Sequence, residues 1–184
     1  MIQPIYLYGS EVLRQQAEPV DLSDKEGIAA LVQDLKDTLK SAEGVGLAAP
    51  QIGVSKRVVI VNAEGMEDSY DYLKGFKRVL INPVIVSESE QTCEFEEGCL
   101  SIPGIYATVR RPASMTVEYY DENLEKQTET FDRFACRMVQ HELSHLAGDM
   151  FVDHVAPIRK KMITKKLANI AHGRVGAHYI TKIK

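Results

Sequence analysis

His141 and His145 stand four residues apart with Glu142 beside the first of them, in the segment His141-Glu142-Leu143-Ser144-His145. On an α-helix that spacing is about one turn, so both imidazoles lie on one face and can reach one metal ion. Glu142 is displaced around the helix yet close enough to touch a water beside that metal. This is the position of a general base in a metal-dependent hydrolase. Two core histidines with a solvent-facing glutamate are the plainer alternative.

A catalytic site of this kind keeps three protein ligands and one open position. Downstream, Asp149, Asp153 and His154 do not have the spacing of the extended zinc-protease motif, and His154 reads as an ordinary histidine. Upstream, Cys99 is the candidate, in Glu97-Gly98-Cys99-Leu100-Ser101, within a segment of strand-end and turn character from Glu96 to Gly104. Cys93 lies in a polar stretch without such framing, and Cys136 reads as a small hydrophobe on the helix. One thiolate, two neutral imidazoles and a water would complete a tetrahedral site. That donor set suits zinc, and imidazole also suits iron, nickel and cobalt. Glu97 is expected to accept the spare N–H of a ligand histidine, as carboxylates near metal sites commonly do.

These residues need elements to hold them. Asp132 is placed to cap a helix from Arg133 to about Ala147, and Gly148 to end it. Phe134, Met138, His141 and His145 form one stripe along that helix, so the histidines continue an apolar face and point inward. An earlier helix over 24–42 carries Ile28, Leu31, Val32, Leu35 and Leu39 at helical spacing. Ser23 with Glu26 supplies a capping pattern at its start, and Gly44 and Gly46 should stop it. Arg57–Val61 and Val79–Val86, the latter interrupted by Pro83, read as strands. Residues 64–75 read as a surface loop. Met115, Val117 and Tyr119 alternate as in a half-buried strand, with a turn at Asp121–Asn123 and a returning strand around Thr128–Phe131. Ile158, Met162, Leu167 and Ile170 fit a C-terminal helix over 158–171. The expected fold is α+β, a single domain over residues 1–184. In it β-sheets surround a buried central helix carrying the histidine motif, with one helix before it and one after.

Composition bounds the rest. Of 184 residues 45% are apolar and 26% charged, which suits a soluble globular chain with a real core. No apolar run is long enough to cross a membrane, and no basic, apolar leader opens the sequence. Three cysteines without a Cys-x-x-Cys are most simply housed in a reduced cytoplasm. Every acidic side chain lies at or before Asp153, whereas residues 155–184 carry basic side chains only. The body is acidic and the tail basic.

Three ordered motifs now carry a resemblance. Gly44-Val45-Gly46-Leu47-Ala48-Ala49-Pro50-Gln51, then Glu97 to Ser101, then His141 to His145 resemble the three signature segments of the peptide deformylases. Val12-Leu13-Arg14 and Ala17-Glu18-Pro19-Val20 are similar to that family's opening, so the resemblance covers most of residues 1–155. The chain departs from it at Ser144, where the family commonly has Asp, and at Ala147, where it often has Asn. Tyr106 stands where some members place Arg.

The resemblance implies hydrolysis of the N-formyl group from N-terminal formylmethionine, with release of formate. Ferrous iron is the metal it implies in the cell, with Zn2+, Ni2+ or Co2+ as occupants of isolated protein. It implies that Gln51, by its side-chain amide, and Leu100, by its backbone N–H, bind the oxyanion. The Gly44–Gly46 backbone, Gly46 included, would pair with the substrate main chain as an added strand. Val45, Phe134 and Met138 are candidates for the methionine pocket, the last two because they share the histidine face.

The partners expected are N-formylmethionyl peptides, with no membrane and no sequence-specific nucleic acid. The basic tail suggests ribosome association, and truncation after Pro157 is expected to spare activity on short peptides. A general zinc endopeptidase and a deformylase-like binding protein with a structural metal are the rival readings.

Overall fold

The structure, a computed structural model, describes residues 1–184. Nine strands are present: β1 (Ile5–Tyr6), β2 (Gly46–Ala48), β3 (Val58–Asn62), β4 (Lys77–Glu88), β5 (Thr92–Cys99), β6 (Ile102–Pro112), β7 (Ser114–Tyr120), β8 (Lys126–Asp132) and β9 (Thr181–Lys182). The α-helices are α1 (Lys25–Ala42), α2 (Arg133–Leu146) and α3 (Pro157–Ala171). One antiparallel sheet has the order β2-β3-β4-β7-β8, β5 and β6 form a separate hairpin, and β1 pairs in parallel with β9. The α+β class and the buried central helix are as the sequence leads one to expect.

Strand periodicity explains the layers. On β3, Val58 and Ile60 pack with Ile28, Val32, Leu35 and Leu39 of α1, while Val59 and Val61 pack with Met138, Val139, Leu143 and Leu146 of α2. Successive strand residues face opposite sides, so a near-continuous apolar run serves two helices. The other side of α2 meets the β5–β6 hairpin, and α3 packs its Ile163, Leu167 and Ile170 against Ile105, Ala107 and Val109 of β6. Each fully buried aliphatic side chain contributes roughly 1.5–3 kcal/mol, so these stripes outweigh any single cap.

Several local expectations are corrected. The α1 cap is Asp24, whose carboxylate accepts the Gly27 N–H at 3.0 Å, and not Ser23. The Ser23 hydroxyl is already donated to Asp21 at 2.7 Å. Neither Gly44 nor Gly46 ends α1, because Glu43 takes the left-handed position at φ 54° and its N–H returns to Leu39 and Lys40. Asp132 occupies the cap position of α2 without a capping hydrogen bond, its carboxylate accepting from Arg133 instead. Residues 64–75 are more than a surface loop, since Leu73 is fully buried and Met66, Tyr70 and Tyr72 cover the core. The interruption in β4 is real: Asn82 sits at φ 50° before Pro83, and register shifts between Ile81 and Val84.

The tail is also corrected. α3 is part of the core, and β9 hydrogen-bonds β1 through Ile5 N–H to the Ile180 carbonyl and Leu7 N–H to the Lys182 carbonyl, both at 2.9 Å. Truncation after Pro157 would strip Ile163, Leu167 and Ile170 from the core, so it cannot spare the rest of the molecule as a detachable tail would.

Candidate metal centre and active site

Two elements bring the chemistry together. α2 carries His141 and His145 on the side opposite its sheet contacts, and β5 brings Cys99 to meet them. Along β5 the polar residues Glu94 and Glu96 are exposed, while Phe95, Glu97 and Cys99 turn toward α2. Register is irregular between Gly98 and Cys99, where Cys99 comes opposite Ile102 across a turn made by Leu100 and Ser101. Such irregularity re-aims side chains at a strand end. The exposed Tyr106 ring lies over Gly98, where a Cβ would come 2.6 Å from it.

Cys99 Sγ and one ring nitrogen from each of His141 and His145 lie within 4.8 Å of one another. Cys99 Sγ is 3.4 Å from His145 Nε2. Two such ligands on a tetrahedral zinc-sized ion stand about 3.5 Å apart, so the donor set fits a metal in both type and separation. His141 donates through Nδ1 to Glu97 Oε1 at 2.8 Å, which fixes the ring and leaves Nε2 free toward the cluster. Burial pushes the His145 pKa well below its ordinary value. His145 is therefore neutral, the form that ligates.

Glu97 is the hub behind the ligands. Its carboxylate accepts from Arg111 Nε at 2.8 Å and Nη2 at 3.0 Å, from Arg137 Nη1 at 3.0 Å, and from His141. Burial alone would raise this carboxyl, but hydrogen bonds from His141 and Arg111 hold it down at about 2. Arg111 Nη1 also donates to Ser144 Oγ at 2.9 Å, so serine at this position still joins the network. Arg137 donates further to the Val109 and Cys93 carbonyls, tying α2 across both hairpin strands.

Glu142 lies beside the His–Cys cluster, buried, and its Oε2 has no hydrogen-bond partner. Burial pushes its carboxyl up to about 7. The carboxylate stem rests on Gly46, where a Cβ would come within 2.5 Å of Oε1 and 2.9 Å of Cγ. Gly46→Ala should therefore displace the carboxylate by the better part of an ångström and lower turnover roughly 10²-fold, with the fold intact. Formate release beside circular dichroism checks this, and wild-type turnover in Gly46→Ala would refute the contact. Gln51 sits in the turn after β2. Its Oε1 accepts the Ala48 N–H at 2.9 Å, and its Nε2 donates to Ser101 Oγ at 3.1 Å and Cys99 Sγ at 3.5 Å.

A cleft of about 670 Å³ opens over this cluster. Gln51, Cys99, Leu100, His141 and Glu142 line its floor, and Val45, Gly46, Phe134 and Met138 line its sides, whereas His145 lies beneath. Phe134 stacks on Tyr70 with ring centroids 5.0 Å apart, so residues 64–75 buttress the side wall. His154 is exposed and pairs with Asp149, away from the cluster.

Sequence reasoning missed Arg111, Arg137 and residues 176–179. Ile105, Ala107, Val109 and Arg111 alternate with exposed Tyr106, Thr108 and Arg110, a strand pattern that would have put Arg111 inside. Arg137 falls one turn before His141 on α2, the spacing that would have placed it beside the motif. No comparable signal marks residues 176–179.

A buried histidine pair one helical turn apart, a cysteine sulfur in reach and an unpartnered carboxyl oxygen over the same cleft define a metal-dependent hydrolase of the His-Glu-x-x-His type. Comparison with known proteins narrows the class. Residues 2–161 match the family model described as polypeptide deformylase. A protein named peptide deformylase from Christiangramia forsetii is 39% identical over 97% of this chain and 94% of its own length. Another of that name from Fusobacterium nucleatum is 43% identical over 92% of this chain and 93% of its own. The crystal structure of a peptide deformylase from Legionella pneumophila aligns with TM-score 0.82 at 38% identity, covering 95% of this chain and 98% of that one. The chain belongs to the polypeptide deformylase family, and it is an amide hydrolase that removes the formyl group from peptides.

Proposed function

We propose that residues 1–184 act as one catalytic domain that deformylates N-formylmethionyl peptides. Glu142 acts as general base and acid, and Cys99, His141 and His145 would hold one divalent metal ion. The observation that carries this reading is the clustering of the three candidate ligand atoms within 4.8 Å of one another at the cleft that the unpartnered Glu142 carboxylate also lines. When bound, the ion supplies Lewis acidity and makes water a nucleophile near neutral pH. Glu142 takes the proton of the attacking water and returns it to the nitrogen of the departing peptide. The Gln51 side-chain amide and the Leu100 backbone N–H donate to the oxyanion, each such donor being worth about 10²–10³ in rate. β2 lies at the edge of its sheet, with β3 on one side only, so Gly44–Gly46 offers the peptide main chain a strand to pair with. Val45, Phe134 and Met138 receive the methionine side chain.

Ferrous iron is the metal we assign in the cell, with Zn2+, Ni2+ or Co2+ supported in isolated protein by the same thiolate and imidazole donors. A reduced cytoplasm suits the three free thiols, one of them a ligand. Anaerobic purification with metal analysis, paired with formate release from formyl-Met peptides and from unformylated controls, tests the assignment. Cleavage of internal peptide bonds with no formate release would overturn it.

Ribosome association rests on α3. Lys160, Lys161, Lys165 and Lys166 are exposed and enter none of the ion pairs, which leaves their charge free to attract phosphates. Because α3 packs into the core, charge reversal is the appropriate test. Lys161→Glu with Lys165→Glu and Lys166→Glu should abolish low-salt co-sedimentation with ribosomes while leaving peptide turnover within about twofold. Unchanged co-sedimentation would remove the proposal.

A further inference from the structure

The family model stops at residue 161, yet the cleft does not. After α3 the chain turns at Gly173, where φ is +70°, and runs back along the mouth of the site. Gly176, Ala177, His178 and Tyr179 line the same cleft as Gly44–Gly46, Cys99 and Leu100. The segment is pinned at its C-terminal end. His178 Nε2 lies 3.1 Å from the Ala42 carbonyl at the end of α1, and the His178 ring meets the Tyr179 ring edge-on at 5.0 Å. Beyond them, β9 is held by β1, and the Lys184 carbonyl accepts the Glu11 N–H at 3.1 Å.

One contact reaches the chemistry directly. The Tyr179 hydroxyl donates to the Leu100 carbonyl at 2.7 Å, while its half-buried ring packs with Leu100 against the α1 core. Leu100 is otherwise half of a short turn between Cys99 and Ile102, and on the other side its side chain abuts Gly44, where a Cβ would lie 2.8 Å from Leu100 Cδ1. A two-residue turn has few bonds of its own, so an external donor on the Leu100 carbonyl fixes the plane of the Leu100–Ser101 peptide and, through Leu100, restricts how the Cys99–Leu100 peptide with its N–H can turn.

We propose that residues 176–179 are a working wall of the substrate cleft. Gly176 and Ala177 border the path of the third and fourth residues of the peptide, and Tyr179 is a positioning residue that holds Leu100 in register with the reacting carbonyl. The proposal rests on the deformylase reading above. The small side chains at 176 and 177 leave room for a peptide, and the two anchors at His178 and Tyr179 keep that room open. Specificity beyond the second residue is thus supplied by a part of the chain that follows the residues matched by the family model.

Steady-state kinetics on formyl-Met-Ala and formyl-Met-Ala-Ser-Ala, with parent protein, Tyr179→Phe and Ala177→Leu, test it. Tyr179→Phe removes one hydroxyl and keeps the ring. It should lower kcat about three- to tenfold on both peptides with KM unchanged, the loss of one buried hydrogen bond read only in the transition state. Ala177→Leu should raise KM for the tetrapeptide at least about tenfold while leaving the dipeptide within about twofold. A parent protein that releases no formate refutes the deformylase reading itself. An active parent with both variants unchanged, or with Ala177→Leu equally impaired on the two peptides, overturns this proposal alone.

Discussion

Glu142→Gln is expected to fold normally, retain its metal, and lose roughly 10²–10⁴-fold in formate release, the range that positioned acid–base catalysis contributes. Gln has the shape of Glu, so the packing of residue 142 over Gly46 survives. What disappears is the group that can take and return a proton. The carboxylate is buried and one of its oxygens has no hydrogen-bond partner, so it is held there at a cost to stability. The variant should accordingly melt no lower than the parent. Metal content and thermal unfolding measured beside turnover separate this outcome from simple misfolding. Near-normal turnover in Glu142→Gln would show that the proton moves by another route.

Glu97→Ala should be damaging for a different reason. It leaves two buried guanidiniums, Arg111 and Arg137, facing each other without a counter-charge, and takes the hydrogen bond from His141 Nδ1. Breaking a buried ion pair by removing one partner costs about 3–5 kcal/mol, enough to consume a large share of an ordinary domain's stability. The variant should unfold at markedly lower urea and give up metal faster to a chelator, since His141 loses its orientation. The same hairpin provides the control. Glu94 and Arg110 pair across β5 and β6 at 2.8 Å with side chains 51% and 68% exposed. Glu94→Ala should cost no more than about 1 kcal/mol. Equal destabilisation in the two variants would show that burial of the Glu97 cluster is not what makes it matter.

The histidine helix was legible because its apolar stripe runs directly into His141 and His145, so one periodicity gave both the element and the direction of its ligands. α1 was legible for the same reason, but its ends were not. Ser23 looked like a cap until Asp21 claimed its hydroxyl, and Glu43 took a left-handed conformation that composition would have assigned to a glycine. The β5–β6 hairpin escaped because its inward positions include Glu97 and Arg111, charges that break an apolar alternation although they satisfy each other. β1 and β9 are two residues each, too short to carry any period. Wherever a position is decided by a partner far along the chain, the local sequence is silent about it.

That last pairing also governs the order of assembly. Ile5 and Thr181 are neighbours in space and nearly the whole chain apart in sequence, so joining them closes a very large loop. The entropic cost of such a closure falls only after the intervening chain has collapsed and brought its ends near each other. The body, with Cys99, His141, Glu142 and His145, can therefore be in place while the mouth of the cleft is still unfinished. Refolding from denaturant should pass through a stage that protects the α2 amides before the Leu7 amide, which bonds to the Lys182 carbonyl. Pulsed hydrogen exchange would read that sequence of events, and simultaneous protection of both would contradict it. The floor of the cleft is then ordered first and its rim last, as the residues around Thr181 settle against Ile5.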